Sequence, residues 1–260
     1  GRDVLLSGIA SGVRSLRHFL FLPVLTYGLD ESQLGLWELL MVAVALAIPW
    51  ISLQLPGAIV RFLPGVADPR QQREIAYTLF FLALGSSILL AVLLCIGALF
   101  ALAGTLWSPL RPLLPIVACL AIATTGLESV RSFFRARRLI LHHSAVGIAQ
   151  YFSELVLVGY ALWSGGGLGA GLGAMLAIRA MLFAAGAAIV IHRLGWYWPD
   201  FTGWREFLRF SIPLIPNSAL YRLFDFGDRY LLAHYLGTAA VGLYFVSYTA
   251  ASFFATLTAP

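Results

Sequence analysis

The chain has 260 residues, 60% of them apolar and 11% charged, with 17 basic against 12 acidic side chains. A soluble domain carries about a quarter charged residues, so this composition excludes one and makes lipid the solvent. At roughly 20 apolar residues per crossing, the length admits about eight transmembrane helices in an all-α integral membrane fold, with no room for a separate catalytic domain.

The first apolar run, Val4 to Tyr27, carries Arg14 and Arg17 and lacks a small-residue cleavage site after it, so it reads as a retained helix and not a signal peptide. The later runs are Leu34 to Val60, Ile75 to Ala103, Leu110 to Ser129, Ser144 to Trp163, Leu168 to Ile191, Phe210 to Tyr235 and Ala240 to Thr258. The breaks between them alternate in charge. Asp30 to Ser32, Thr105 to Arg111, Gly165 to Gly167 and Gly237-Thr238 contain Arg111 as their single basic residue. The other breaks hold Arg61, Arg70 and Arg73, then Arg131, Arg135, Arg137 and Arg138, then Arg193, Arg205 and Arg209. Basic loops stay cytoplasmic, so these breaks and the amino terminus, with Arg2, are expected inside. Single cysteines replacing Arg70, Arg135 or Arg205 should therefore be shielded from an impermeant thiol reagent in intact cells. Labelling at position 135 without permeabilisation would overturn that topology.

The aromatic stretch Trp196-Tyr197-Trp198-Pro199-Asp200-Phe201, with Trp204 and Phe207, suits the headgroup level and reads as an interfacial linker. Leu34-Gly35-Leu36-Trp37 overlays Val241-Gly242-Leu243-Tyr244 at an offset of 207 residues. That repeat lays the first run on the seventh and the second on the eighth, as in transporters built from parallel six-helix halves. The expected organisation is a first six-helix lobe over 1–193, a cytoplasmic linker over 194–209, and the first two helices of a second lobe over 210–260. On this reading the sequence is a fragment, with about four or more helices to follow.

A charge at mid-membrane costs about 2.5 to 3.5 kcal/mol on insertion scales, so each needs a partner or a wet cavity. Arg14 and Arg17 share a face, since residues three apart are helix neighbours, and no acid in the first two runs lies at their depth. Glu154 and Arg179 come level across the hairpin of the fifth and sixth helices. They are either a packing ion pair or a coupling site. The seventh run contains Pro213 and Pro216, which loosen its first turns, and then Arg222, Asp225, Asp228 and Arg229. Arg222, Asp225 and Arg229 fall on one face, as a self-neutralising ladder or as the lining of a cavity. The 207-residue offset brings Arg14, Arg17 and Arg222 to one depth, where guanidinium forks could pair a diphosphate. Asp225 would compete for Arg17 when substrate is absent.

Other features are structural. Gly165, Gly169 and Gly173 recur at the small-residue spacing of close helix packing in lipid, and no strand precedes them to make a dinucleotide loop. His142-His143 reads as an interfacial helix end, Cys95 and Cys119 as small hydrophobes. No metal or cofactor site is expected.

Two stretches resemble the polysaccharide transporter branch of the multidrug, oligosaccharidyl-lipid and polysaccharide exporter superfamily, which includes the O-antigen flippases. One is Phe21-Leu22-Pro23-Val24-Leu25-Thr26, then Leu34-Gly35-Leu36-Trp37 and Ala58-Ile59-Val60-Arg61-Phe62. The other is Ser211-Ile212-Pro213-Leu214-Ile215-Pro216, then Asp228-Arg229-Tyr230-Leu231-Leu232 and Gly237 through Val241-Gly242-Leu243-Tyr244. The resemblance implies a two-lobed bundle of twelve or more helices that moves an undecaprenyl-diphosphate-linked oligosaccharide across the bacterial cytoplasmic membrane by alternating access, with no enzymatic step. It places Arg17, Arg61, Asp228 and Arg229 at the lumen or its gate. The implied partners are the anionic lipid-linked glycan, membrane lipids and other polysaccharide-assembly proteins, with no nucleic acid. A multidrug or toxin cation antiporter of the same superfamily is the alternative, although a cationic drug would want unpaired acids. A membrane-embedded glycan polymerase or ligase is the reading from another class, and it would want a larger outer loop.

Overall fold

Long apolar runs broken by proline and glycine become helices here, and no strand occurs among the described residues. The computed structural model describes residues 20–101 and 108–258. In chain order these form α1 (residues 20–28), α2 (Glu31–Ile51), α3 (Leu55–Phe62), α4 (Pro69–Ala101), a 3-10 turn (Ser108–Leu113), α5 (Leu114–Ala136), α6 (Ile140–Trp163) and α7 (Gly167–Leu194). The remainder are α8 (Trp204–Ser211), α9 (Leu214–Phe226), α10 (Asp228–Leu236) and α11 (Thr238–Thr258).

Among the described residues, five helical stretches are long and apolar enough to cross a membrane: Glu31–Ile51, Pro69–Ala101, Leu110–Ala136, Ile140–Trp163 and Gly167–Leu194. Their outer faces are apolar too. On α4, Ile88, Leu89, Leu93 and Leu94 are all more than half exposed, a waste of apolar surface in water and the ordinary state of a helix in lipid. The protein is an all-helical membrane protein.

Two expected spans are not continuous. The run Leu34 to Val60 ends as a helix at Ile51, passes Leu53 and Gln54 at φ 48° and 55°, and restarts as α3. Pro56 sits in the first turn of α3, where its missing amide costs nothing, but it cannot continue a helix arriving from α2. The run Phe210 to Tyr235 is divided among α8, α9 and α10. Pro213 falls between the first two, Gly227 between the second pair, and Gly237 closes α10 at φ 85°, a conformation that favours glycine.

The helices group into two compact units, one from the described residues of 1–43, 144–178 and 224–260, the other from 44–143 and 179–223. In the second unit α3, α4 and α5 pack together and α8 lies against α3 and α4. Phe62 of α3 meets the rings of Phe207 and Phe210 at 5.1 and 5.4 Å. The segment before α8 is tied to α4. The Tyr77 hydroxyl donates to the Gly195 carbonyl and the Thr78 hydroxyl to that of Asp200, each at 2.7 Å. The Thr202 hydroxyl and amide both donate to the Asp200 carboxylate and hold its pKa below the usual value. Hydropathy alone marks this stretch as a linker; these bonds make it a fixed one.

In the first unit, α10 packs on α11. The start of α2 meets the start of α11 in a reciprocal contact: Gly35 lies on Thr238 and Gly242, and Gly242 lies on Glu31 and Gly35. The 207-residue offset turns Glu31 into Thr238 and Gly35 into Gly242, so the repeated residues meet each other as they would across a two-fold axis. Ser32 and Thr238 share a hydroxyl hydrogen bond of 2.8 Å at its edge.

Candidate functional site

Several buried hydroxyls bond back to their own helix, as Thr125 and Ser129 do on α5. A charge has no such local solution. Arg229 is nevertheless, among the described residues, the largest side chain with under 2% of its surface exposed. It stands at the first turn of α10, directly after the Gly227 break, and reaches across to α2.

Its guanidinium donates through Nε and Nη1. Nε donates to Glu38 Oε1 at 3.0 Å, and Nη1 donates to Asp228 Oδ1 at 2.7 Å and to the Asp225 main-chain carbonyl at 2.6 Å. Three rings close over it: Tyr248, Phe226 and Tyr244 lie 4.5, 5.1 and 5.5 Å from the guanidinium carbon. A desolvated cation over an aromatic face gains about 2 kcal/mol or more per favourable pair. Tyr244 and Tyr248 stand four residues apart on α11, so both rings face one way. Tyr244 also donates its hydroxyl to the other oxygen of Asp228, and the Tyr230 hydroxyl donates to the Leu39 carbonyl at 3.1 Å beside Glu38.

Charge balance decides what this cluster can do. Two carboxylates, Glu38 and Asp228, face one guanidinium, leaving one negative charge over. Glu38 is enclosed, its side chain 10% exposed, while Asp228 is 42% exposed. The surplus charge is therefore least enclosed at Asp228. Such a group can hold a proton or a small cation, and it repels a diphosphate.

Arg14 and Arg17 fall outside the described residues. Arg61 is exposed in the last turn of α3, Arg222 is half-buried on α9 and Asp225 is exposed near its end. Of the ladder expected from Arg222, Asp225 and Arg229, the link between Arg229 and Asp225 runs through the Asp225 main-chain carbonyl. Arg229 takes the Asp225 main chain, with Glu38 and Asp228 as its carboxylates. Glu154 and Arg179 are both buried. Gln150 donates to Glu154 at 2.9 Å, and Arg179 donates to the Thr124 hydroxyl at 2.7 Å.

Sequence reasoning missed Glu38. It is a lone carboxylate inside an apolar run, a signal in itself given the cost of a mid-membrane charge, but its partner stands 191 positions away, beyond any local pattern. Tyr244 and Tyr248 were visible as a four-residue pair and carried no signal of what they covered. Among the described residues no cluster of three His, Cys, Asp or Glu side chains could hold a metal ion. His142 and His143 are engaged with Arg193 and with the Arg131 carbonyl.

Residues 1–260 match a protein-family model described as "Polysaccharide biosynthesis protein". No curated protein and no solved structure matches the chain.

Proposed function

The chain belongs to the polysaccharide biosynthesis protein family of flippase-like exporters, and from that premise we propose that it is a flippase for an undecaprenyl-diphosphate-linked oligosaccharide. It works in the bacterial cytoplasmic membrane with its amino terminus inside, and performs no chemistry on the glycan. The observation that carries the reading is a buried, hydrogen-bonded charge cluster inside the apolar helices of a chain from this family. A purely structural scaffold has no need of one.

Two sets of polar residues divide the work. Arg14, Arg17, Arg61 and Arg222 bind the anionic diphosphate, because planar guanidinium forks match phosphate oxygens. Asp228 and Arg229, joined by Glu38, form the ion-coupling gate, with Asp225, Glu154 and Arg179 as further coupling groups. The surplus carboxylate supports that division. It suits a proton or cation at Asp228 and leaves the substrate to the separate arginines. The same surplus is also the one feature that favours the cation antiporter, since an acid in an aromatic cage could take a cationic drug.

Export assays in the full-length protein separate the two. Arg17→Ala and Arg222→Ala are expected to abolish glycan export while the protein remains inserted and abundant, and Lys replacements to restore it in part, since an ammonium lacks the fork. Apolar replacement of Arg17, Arg222 and Asp225 together should stay inactive. Wild-type export in that triple variant would sink the diphosphate clamp.

A further inference from the structure

At the basic end of the second unit, where α5 ends, α6 begins and α7 ends, a cavity of about 240 Å³ is lined by Phe133, Arg137, Leu139, Arg193 and Leu194. We propose that it binds a phosphate group at headgroup level, supplied by an anionic lipid. The site goes beyond the transport reading, and it needs only a bilayer around the helices.

Charge is the first reason. Arg137 donates to the Gln72 carboxamide and Arg193 lies 3.2 Å from His142 Nε2, so neither contact brings a carboxylate to cancel the positive charge. Each guanidinium has five N–H donors and uses one of them in these bonds. Arg135 and Arg138 add to the same turn, where Glu128 pairs with Arg131 at 3.2 Å. The lining is also two-faced, with two exposed arginines over buried Phe133 and Leu194. A charged headgroup on an apolar stem has that pattern.

Depth and size agree. Trp196 and Trp198 follow Leu194 directly, their rings 6.0 Å apart, and Trp196 packs on Tyr77 at 6.0 Å. Such aromatics mark the headgroup layer. The cavity is smaller than the roughly 300–1,000 Å³ of sites for drug-sized ligands, too small for a glycan and adequate for a phosphodiester. Its walls are fixed by backbone bonds, Arg137 to Phe133 at 3.0 Å, Leu139 to Phe134 at 2.8 Å and Gly195 to Ile191 at 2.8 Å. The α6 amino terminus opens immediately after Leu139, and its first amides lack helical partners.

The test uses full-length protein in nanodiscs that mix phosphatidylglycerol and phosphatidylcholine of equal chain length, reading the lipids retained by native mass spectrometry. The wild type is expected to enrich phosphatidylglycerol, by roughly fivefold per arginine. Arg137→Gln with Arg193→Gln should bring the ratio to that of the disc; both side chains are exposed, and an unchanged melting temperature would show that the fold survives. Leu139→Trp should do the same by filling the cavity with every charge kept. An enrichment that survives the arginine changes overturns the site. One that survives Leu139→Trp alone assigns the preference to the diffuse basic surface and overturns the cavity. Added inorganic phosphate separates the sources: displacement of the lipid makes free phosphate an alternative occupant of the same site, and its failure to displace assigns the site to the lipid phosphodiester.

Discussion

Gly35→Ala is expected to prevent stable folding, and Gly242→Ala to do nearly the same. A Cβ built on Gly35 would overlap the Thr238 carbonyl oxygen, and one on Gly242 would overlap that of Glu31. Both obstacles are backbone, so no side chain can turn aside and the two helices must separate. Forced overpacking costs about 1–3 kcal/mol where side chains give way, and a backbone obstacle belongs at or above about 3 kcal/mol on that scale. Close approach matters more in lipid than in water, because van der Waals packing replaces the hydrophobic drive between helices. Gly85 and Gly97 on α4 are the controls, with nothing within 4 Å of an added Cβ. Gly85→Ala should hold or raise stability, since alanine is the better helix former by up to about 1 kcal/mol. The readout is the melting temperature of purified protein together with its level in the membrane. A Gly35→Ala protein as abundant and stable as the wild type would remove the contact from the account of the fold.

That contact shows where sequence reading stops. The likeness of Leu34-Gly35-Leu36-Trp37 to Val241-Gly242-Leu243-Tyr244 was legible as a repeat, because composition and order are one-dimensional. That the two copies lie on each other was not, since a repeat is equally compatible with separated halves. The apolar runs show helix class but not the interruption at Leu53 and Gln54, because hydropathy averages a window and does not see two residues of left-handed backbone, whereas the interruption at Pro213 is legible from the proline itself. Arg229 and Glu38 stand 191 positions apart, and no local pattern joins them. Arg137 and Arg193 signal orientation in the sequence and nothing more, because a loop count says where charge is and not that two of its members wall a cavity.

The Glu38–Arg229 pair makes the other large prediction, and its sign pattern follows from charge. With all groups ionised the cluster of Glu38, Asp228 and Arg229 carries one net negative charge. Arg229→Gln leaves two carboxylates facing each other beneath three aromatic rings, and removing one partner of a buried pair costs about 3–5 kcal/mol. Glu38→Gln instead leaves Arg229 balanced by Asp228, with an amide oxygen still able to accept from Nε. Its cost should be nearer the ~1.5–3 kcal/mol of one charged hydrogen bond. The two single variants are therefore unequal, the arginine loss being the worse. Changing both positions restores the original net charge and removes the stranded carboxylate from the interior, so the double variant should be more stable than Arg229→Gln. Asp228→Asn should be the mildest, because that side chain is 42% exposed and the asparagine keeps an oxygen to accept from Arg229 and Tyr244. Arg229→Lys keeps the charge but loses the fork that reaches α2 and the Asp225 carbonyl together, and belongs between wild type and Arg229→Gln. Thermal melting of the four variants and the double gives the order directly. Equal losses for Glu38→Gln and Arg229→Gln, with no recovery in the double, would mean that the rings of Phe226, Tyr244 and Tyr248 hold this side chain by packing. The surplus charge at Asp228 would then have no buried counterpart to couple to.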